Sequence, residues 1–250
     1  MSGAYIVGVD GSAPSRRAVG WACRIASIDG GQVTLVHVND PTVAPDRARG
    51  ASALADAARE ARAAHPGLAV HEELLGGPVW RTLATRGSGD DVLVIGSHKT
   101  GYLHGRVTGS FAARIALHTR TSLAVVPDLD VRSRVGVVAG IDGGPTATAV
   151  AEAAARRAHE LVAPLLLVHA GTTHGDTLAV AAATARATAP GIEIQSRTST
   201  RLPADALLDA ARSRALLVVG QGSDSSGDAV LGTVLHDVLL NLNAPTLIVR

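Results

Sequence analysis

The chain repeats itself. Tyr5-Ile-Val-Gly-Val-Asp10-Gly11-Ser12 opens it, and Val135-Gly-Val-Val-Ala-Gly-Ile-Asp142-Gly143-Gly144 opens it again, with Asp142 lying 132 residues after Asp10. A fixed internal period of this length means two copies of one domain and governs every later assignment. Each copy continues in the same order. A helical pattern with Pro near its start (Pro14 to Ala26, Pro145 to Glu160) is followed by a second strand (Val33 to Val38, Leu165 to Ala170) carrying His37 and His169 at equivalent places. Pro66-Gly67 and Pro190-Gly191 then punctuate the approach to a third extended stretch, Leu68 to Leu75 and Ile192 to Arg197.

The next strands, Asp91 to Gly96 and Ala215 to Gly220, are unbroken apolar runs, as in parallel strands covered on both faces. Each leads through a Gly- and Ser-rich loop and a helix to a last strand, Ser122 to Val126 and Ala244 to Val249. Five strands alternating with helices, twice over, predict an α/β chain of two doubly wound five-stranded parallel-sheet domains in tandem, 1–128 and 134–250, joined by a linker at 129–133. The pair is expected to stack as an intrachain pseudo-dimer through its last strands, and a homodimer of chains is open to it.

Composition narrows the function classes. With 46% hydrophobic and only 2% aromatic residues, the core must be built from Ala, Val, Leu and Ile. Residues 1–130 hold 13 Lys+Arg against 12 Asp+Glu, and residues 131–250 hold 10 against 10. No polybasic stripe is present, so no nucleic-acid partner is expected. No apolar run reaches the ~18 residues a bilayer span needs, so no membrane partner and a cytoplasmic location are expected. Cys23, the single cysteine, excludes an intrachain disulfide and reads as a buried thiol.

Open parallel sheets bind ligands beyond the carboxyl ends of their strands, where strand order reverses. Asp10, Val38 and the loop Gly96 to Ser110 collect there in the first copy. That loop has two readings. Gly109 and the free amides at Ser110 and Phe111 suit an anion seat at a helix start. Equally, the glycines shape a surface loop and Ser110 caps a helix. Lys99, the only lysine beside 22 arginines, favours the anion. A P-loop fails because Leu93 and His98 stand where Gly is required, and no G-x-G-x-x-G follows the first strand. His37 and His169 read as satisfied strand-end histidines, and His98, His104 and His118 lack the spacing of a metal set. His236-Asp237 has no G-x-S-x-G nucleophile to serve and reads as a solvated helix face.

Val7-Gly-Val-Asp10, Val36-His37-Val38, Val94-Ile-Gly96-Ser97 and Gly109-Ser110, in this order, resemble the universal stress protein family, here as two tandem copies covering essentially the whole chain. The resemblance implies an adenine nucleotide alpha-hydrolase-like fold and binding of an adenine nucleotide, usually ATP, with or without Mg, with at most slow hydrolysis. It places Asp10 and Val38 by the adenosine, with the backbone of Val38 reading the base edge, and Gly96, Lys99, Gly109 and Ser110 on ribose and phosphates. In the second copy it points to Asp142, Ala170, Gly220, Ser223, Gly232 and Thr233. The family pattern G-x2-G-x9-G-[ST] is departed from at Lys99 and Ser223, which replace its second Gly, and the second copy is one residue short. Those departures sustain an alternative, a scaffold that keeps the fold and acts through protein contacts without nucleotide. An ATP-consuming enzyme lacks a convergent acid, base or nucleophile.

Overall fold

The computed structural model describes residues 3–40, 47–98, 111–171, 176–222 and 231–250. The described residues divide into two compact units, the first comprising 3–98 and 111–128, the second starting at 129. The first unit contains β1 (Ala4–Gly8), α1 (Ala13–Asp29), β2 (Gln32–Asn39), α2 (Arg47–Ala64), β3 (Val70–Gly76), α3 (Val79–Ala84), β4 (Val92–Ser97), α4 (Phe111–His118) and β5 (Ser122–Pro127). Its strands pair in parallel in the order β3-β2-β1-β4-β5. The second unit contains β6 (Val137–Gly140), α5 (Ala147–Glu160), β7 (Leu165–Ala170), α6 (Thr177–Thr188), β8 (Ile194–Ser199), α7 (Pro203–Ala211), β9 (Leu216–Gly220), α8 (Thr233–Leu240) and β10 (Thr246–Val249). Its parallel order, β8-β7-β6-β9-β10, is the same topology. Both units are therefore doubly wound five-stranded parallel sheets, as the alternating pattern predicts.

The cores are aliphatic. Leu35, Leu93 and Leu123 are fully buried in the first unit, and Leu165, Leu167, Leu216 and Leu217 in the second. Alanines carry the helix side of the interface: Ala18, Ala22 and Ala26 on α1, and Ala151, Ala154, Ala155 and Ala158 on α5. Small side chains let these helices lie close to the sheet, which explains how a chain with few aromatics fills its interior. Tyr5 and Trp21 meet edge to face at 6.5 Å, and the Tyr5 hydroxyl donates to Asp29. Cys23 is buried on α1, where desolvation pushes its thiol up to about 11.

Ser12 and Gly30 fix the ends of α1. The Ser12 hydroxyl oxygen accepts the Ser15 N–H at 3.3 Å, Pro14 occupies the first turn, and Gly30 closes the helix at φ 74°. β3, β6 and β8 each begin two residues later than their sequence patterns suggest. Gly136 at φ 101° holds Val135 out of β6. The turn in which Leu68 N–H bonds the His65 carbonyl at 3.0 Å delays β3 to Val70. Gly191 at φ 88° likewise delays β8 to Ile194.

Candidate functional site

In each unit the strand order reverses at the first strand, because β1 lies between β2 and β4, and β6 between β7 and β9. The chain leaves this point in a tight turn built identically in both units. Asp10 Oδ1 accepts the Ser12 N–H at 2.9 Å, and Asp142 Oδ1 accepts the Gly144 N–H at 2.8 Å. The intervening Gly11 and Gly143 both sit at φ 78°, the left-handed region that glycine enters without penalty. The two carboxylates are thus oriented by their own backbone and remain exposed at the sheet's carboxyl end. Partial desolvation pushes the Asp10 carboxyl up. Hydrogen bonds from the Ser12 side chain and backbone and from Ser15, with His98 nearby, outweigh this and hold it below the ordinary carboxylate value.

The strand-two histidines do more than fill space. His37 Nδ1 donates to the Val9 carbonyl at 2.7 Å, and His169 Nδ1 donates to the Ile141 carbonyl, also at 2.7 Å. A carbonyl only accepts, so Nδ1 must carry the proton in both. These are the carbonyls that a continuing parallel ladder would offer to the next strand-two amide. Val9 N–H bonds Val36 O at 2.8 Å while Gly77 N–H bonds Asn39 O at 3.1 Å, so alternate residues of β2 address β1 and β3. By that alternation Val38 turns its N–H and C=O toward β1, past that strand's end. In the second unit, Ile141 N–H to Val168 O at 2.9 Å and Gly171 N–H to Ser199 O at 3.0 Å direct Ala170 toward β6 in the same way. The histidine takes the last carbonyl, and a polar backbone edge of one residue is left facing the switch point.

Gly50 of α2 belongs to this arrangement. A Cβ there would meet His37 Nε2 at 2.2 Å, so the helix passes the imidazole only because residue 50 has no side chain. Sequence reading gave Gly50 no role, since a glycine early in an alanine-rich helix carries no signal of what it passes.

Gly96 and Gly220 end β4 and β9 beside the first helix of their units. A Cβ on Gly96 would lie 2.4 Å from the Pro14 carbonyl carbon and oxygen, and one on Gly220 would lie 2.2 Å from Thr146 Oγ1. Both let a strand end approach a helix start. In the second unit a crevice of about 240 Å³ opens at this end, and Asp142, Ala170, Gly220, Gly232 and Thr233 all line it. Gly232 is the N-cap of α8, at φ −56° and ψ 143°, with no side-chain cap bond, and Thr233 starts the helix. The first-turn amides of any helix have no acceptor within it.

Of the residues expected at the site, the structure therefore brings together these five in the second unit, and it sets Asp10, Val38 and Gly96 around the same point of the first. Lys99, Gly109, Ser110 and Ser223 lie outside the described residues. His236 and Asp237 stand apart, on α8, half exposed, with Nδ1 3.6 Å from Oδ1. Among the described residues no three His, Cys, Asp or Glu side chains cluster to hold a metal ion, and no helix is long and apolar enough to cross a membrane.

The universal stress protein family model matches residues 3–127, the span that holds the first parallel unit with its Asp-Gly turn and its strand-two histidine. A universal stress protein of Mycolicibacterium smegmatis is 31% identical, covering 98% of this chain and 96% of its own. The chain belongs to the universal stress protein family. One from Mycobacterium tuberculosis is 28% identical over 68% of this chain, a match spanning 63% of that protein. The crystal structure of a universal stress protein from Archaeoglobus fulgidus DSM 4304 shares the fold at a TM-score of 0.80, with 17% identity, over 100% of this chain and 99% of that one.

Proposed function

We propose that the first unit binds an adenine nucleotide, ATP with Mg, as a regulatory ligand of a stress-response protein. The observation that carries this reading is the open backbone edge of Val38, which exists because His37 occupies the Val9 carbonyl. One residue offering an N–H donor and a C=O acceptor side by side complements the adenine edge, where a ring-nitrogen acceptor adjoins an amino donor. Asp10, held ionised beside that edge, suits a ribose hydroxyl, since a carboxylate only accepts. The helix α4 begins at Phe111, so the amides of its first turn are suited to phosphate oxygens, and the sequence supplies Lys99 as a flexible point charge for them. Nothing in this set forms a nucleophile with a base, and the reading is of binding and not of turnover.

Titration calorimetry of the full chain with ATP and magnesium tests it. Dissociation constants in the micromolar to submillimolar range are expected. Asp10→Asn, which keeps an oxygen for the Ser12 amide, should weaken binding, and Gly109→Glu, which sets a carboxylate where phosphate is expected, should abolish it. Neither heat nor a thermal shift at millimolar ATP would leave the scaffold reading in its place, and unchanged affinity in both variants would move the nucleotide elsewhere.

A further inference from the structure

The helix pairs α3–α4 and α7–α8 hold the same place in their units, after the third and fourth strands, and the members of each pair pack together. Their charges are opposite. α3 and α4 carry Arg81 and Arg114, with His118, and no Asp or Glu, whereas α7 and α8 carry Asp205, Asp209 and Asp237 and no Lys or Arg. The layout nevertheless repeats. On α4 the exposed Phe111 is followed three residues on by the exposed Arg114, and on α8 the exposed Val234 by the exposed Asp237 at the same spacing, which puts each pair on one helix face. Beside them, Trp80 and Arg81 lie in the first turn of α3, and Leu202, 74% exposed, precedes Asp205 in the first turn of α7. The cations of the first unit are held in place before any contact is made. Arg114 lies over the Trp80 ring at 4.5 Å and Arg81 at 5.5 Å, while His118 stacks on the same ring at 4.9 Å and donates through Nδ1 to the Arg114 carbonyl at 2.8 Å. Among the described residues neither guanidinium forms an ion pair, nor does Asp205; Asp237 meets only His236, at 3.6 Å, and Asp209 is engaged by Arg201 and Arg212. An arginine already ordered on an indole gives up less freedom when it later pairs with a carboxylate.

We propose that these faces are the two halves of one contact between copies of this chain: the α3–α4 face of one copy docks on the α7–α8 face of a second. Arg81 and Arg114 meet Asp205 and Asp237, and the exposed apolar residues, Trp80 and Phe111 on one side and Leu202 and Val234 on the other, lose water between them. Charge names the occupant. Each face repels its own kind on another copy and attracts the other kind, so the pairing is specified by repulsion as well as by attraction. Every copy carries both faces and can both give and receive the contact. Exposed charges supply encounter rate and choice of partner more than affinity, so the contact is weak and sensitive to salt.

Sedimentation velocity of the full chain over a series of protein concentrations, without nucleotide, decides it. The salt is set at about 20 mM and at about 500 mM, between which the screening length falls from roughly 20 Å to roughly 4 Å. The expected result is association that grows with protein concentration at low salt and disappears at high salt. Arg114→Asp and Asp237→Arg each bring like charges together in the contact, and each should weaken association by about tenfold or more. An equimolar mixture of the two variants should recover it, because the intact α3–α4 face of Asp237→Arg copies meets the intact α7–α8 face of Arg114→Asp copies. That recovery also shows that both variants fold. A chain that stays monomeric at low salt, association that neither substitution weakens, or a mixture that associates no better than its components overturns the proposal. No outcome here bears on the nucleotide reading of the first unit, which has its own test above.

Discussion

At the residue scale, the two glycines that end the central strands look equivalent in sequence and are not equivalent in cost. Neither Gly96 nor Gly220 is among the positive-φ glycines, so backbone conformation tolerates alanine at both and only space decides. At Gly96 the obstacle is the Pro14 backbone at 2.4 Å, which cannot turn aside without moving the start of α1 and with it the Asp10–Ser12 turn. At Gly220 the nearest atom is the Thr146 hydroxyl at 2.2 Å, the end of a side chain that rotates, with the Thr146 Cβ at 3.1 Å behind it. Gly96→Ala should therefore lose about 1–3 kcal/mol, the usual range for forcing extra volume into a packed site. Gly220→Ala should stay within about 1 kcal/mol of wild type, helped by the reduced freedom of its unfolded chain. Urea unfolding of the two variants side by side checks the order, and equal losses would mean that the helix start gives way as easily as a hydroxyl.

The elements divide in the same manner. α1 has a side-chain cap at Ser12, whereas its counterpart α5 starts at Thr146, whose αR backbone makes no side-chain cap bond. Ser12→Ala should cost about 1 kcal/mol and Thr146→Ala little, measurable as a difference in thermal midpoint between two variants that each delete one hydroxyl. This contrast was only half legible in the sequence. Ser12-Ala-Pro14 announces a capped helix start, but Pro145-Thr146 suggested a helix opening at Pro145, and the structure opens it at Ala147. The strands were legible in type because unbroken runs such as Val92 to Ile95 have no helical periodicity to confuse them. Their starts were not, since Gly136 and the turn at His65 set the boundary through left-handed or turn backbone that an apolar pattern does not record. Of the site, Asp-Gly after the first strand and the histidine in the second were visible as residue types. The acceptor of that histidine, 28 residues away in both units, depends on the register of two strands, and the make-up of the crevice wall depends on which faces of α7 and α8 turn inward.

Across the whole molecule the two units present a division that optical probes can separate, because both tryptophans belong to the first. Trp21 is buried against Tyr5, and Trp80 of α3 stacks with His118 of α4 at 4.9 Å while Arg114 lies over its ring at 4.5 Å. Unfolding of this unit exposes one indole and releases the other from its cation, so tryptophan emission reports it directly, whereas far-ultraviolet circular dichroism sums both units. A ligand that binds only the native form stabilises it by about 2.7 kcal/mol at a concentration a hundred times its Kd. ATP at that level should raise the emission midpoint by several degrees in wild type and in Ala170→Phe, whose ring fills the crevice of the second unit, and by much less in Asp10→Asn. The reasoning runs through location and not affinity: the probe and the proposed triphosphate share the first unit, while the altered wall of Ala170→Phe is in the second. A midpoint that moves with ATP by circular dichroism but not by emission would put the nucleotide in the second unit, and the assignment of triphosphate to the Val38 edge would fall with it.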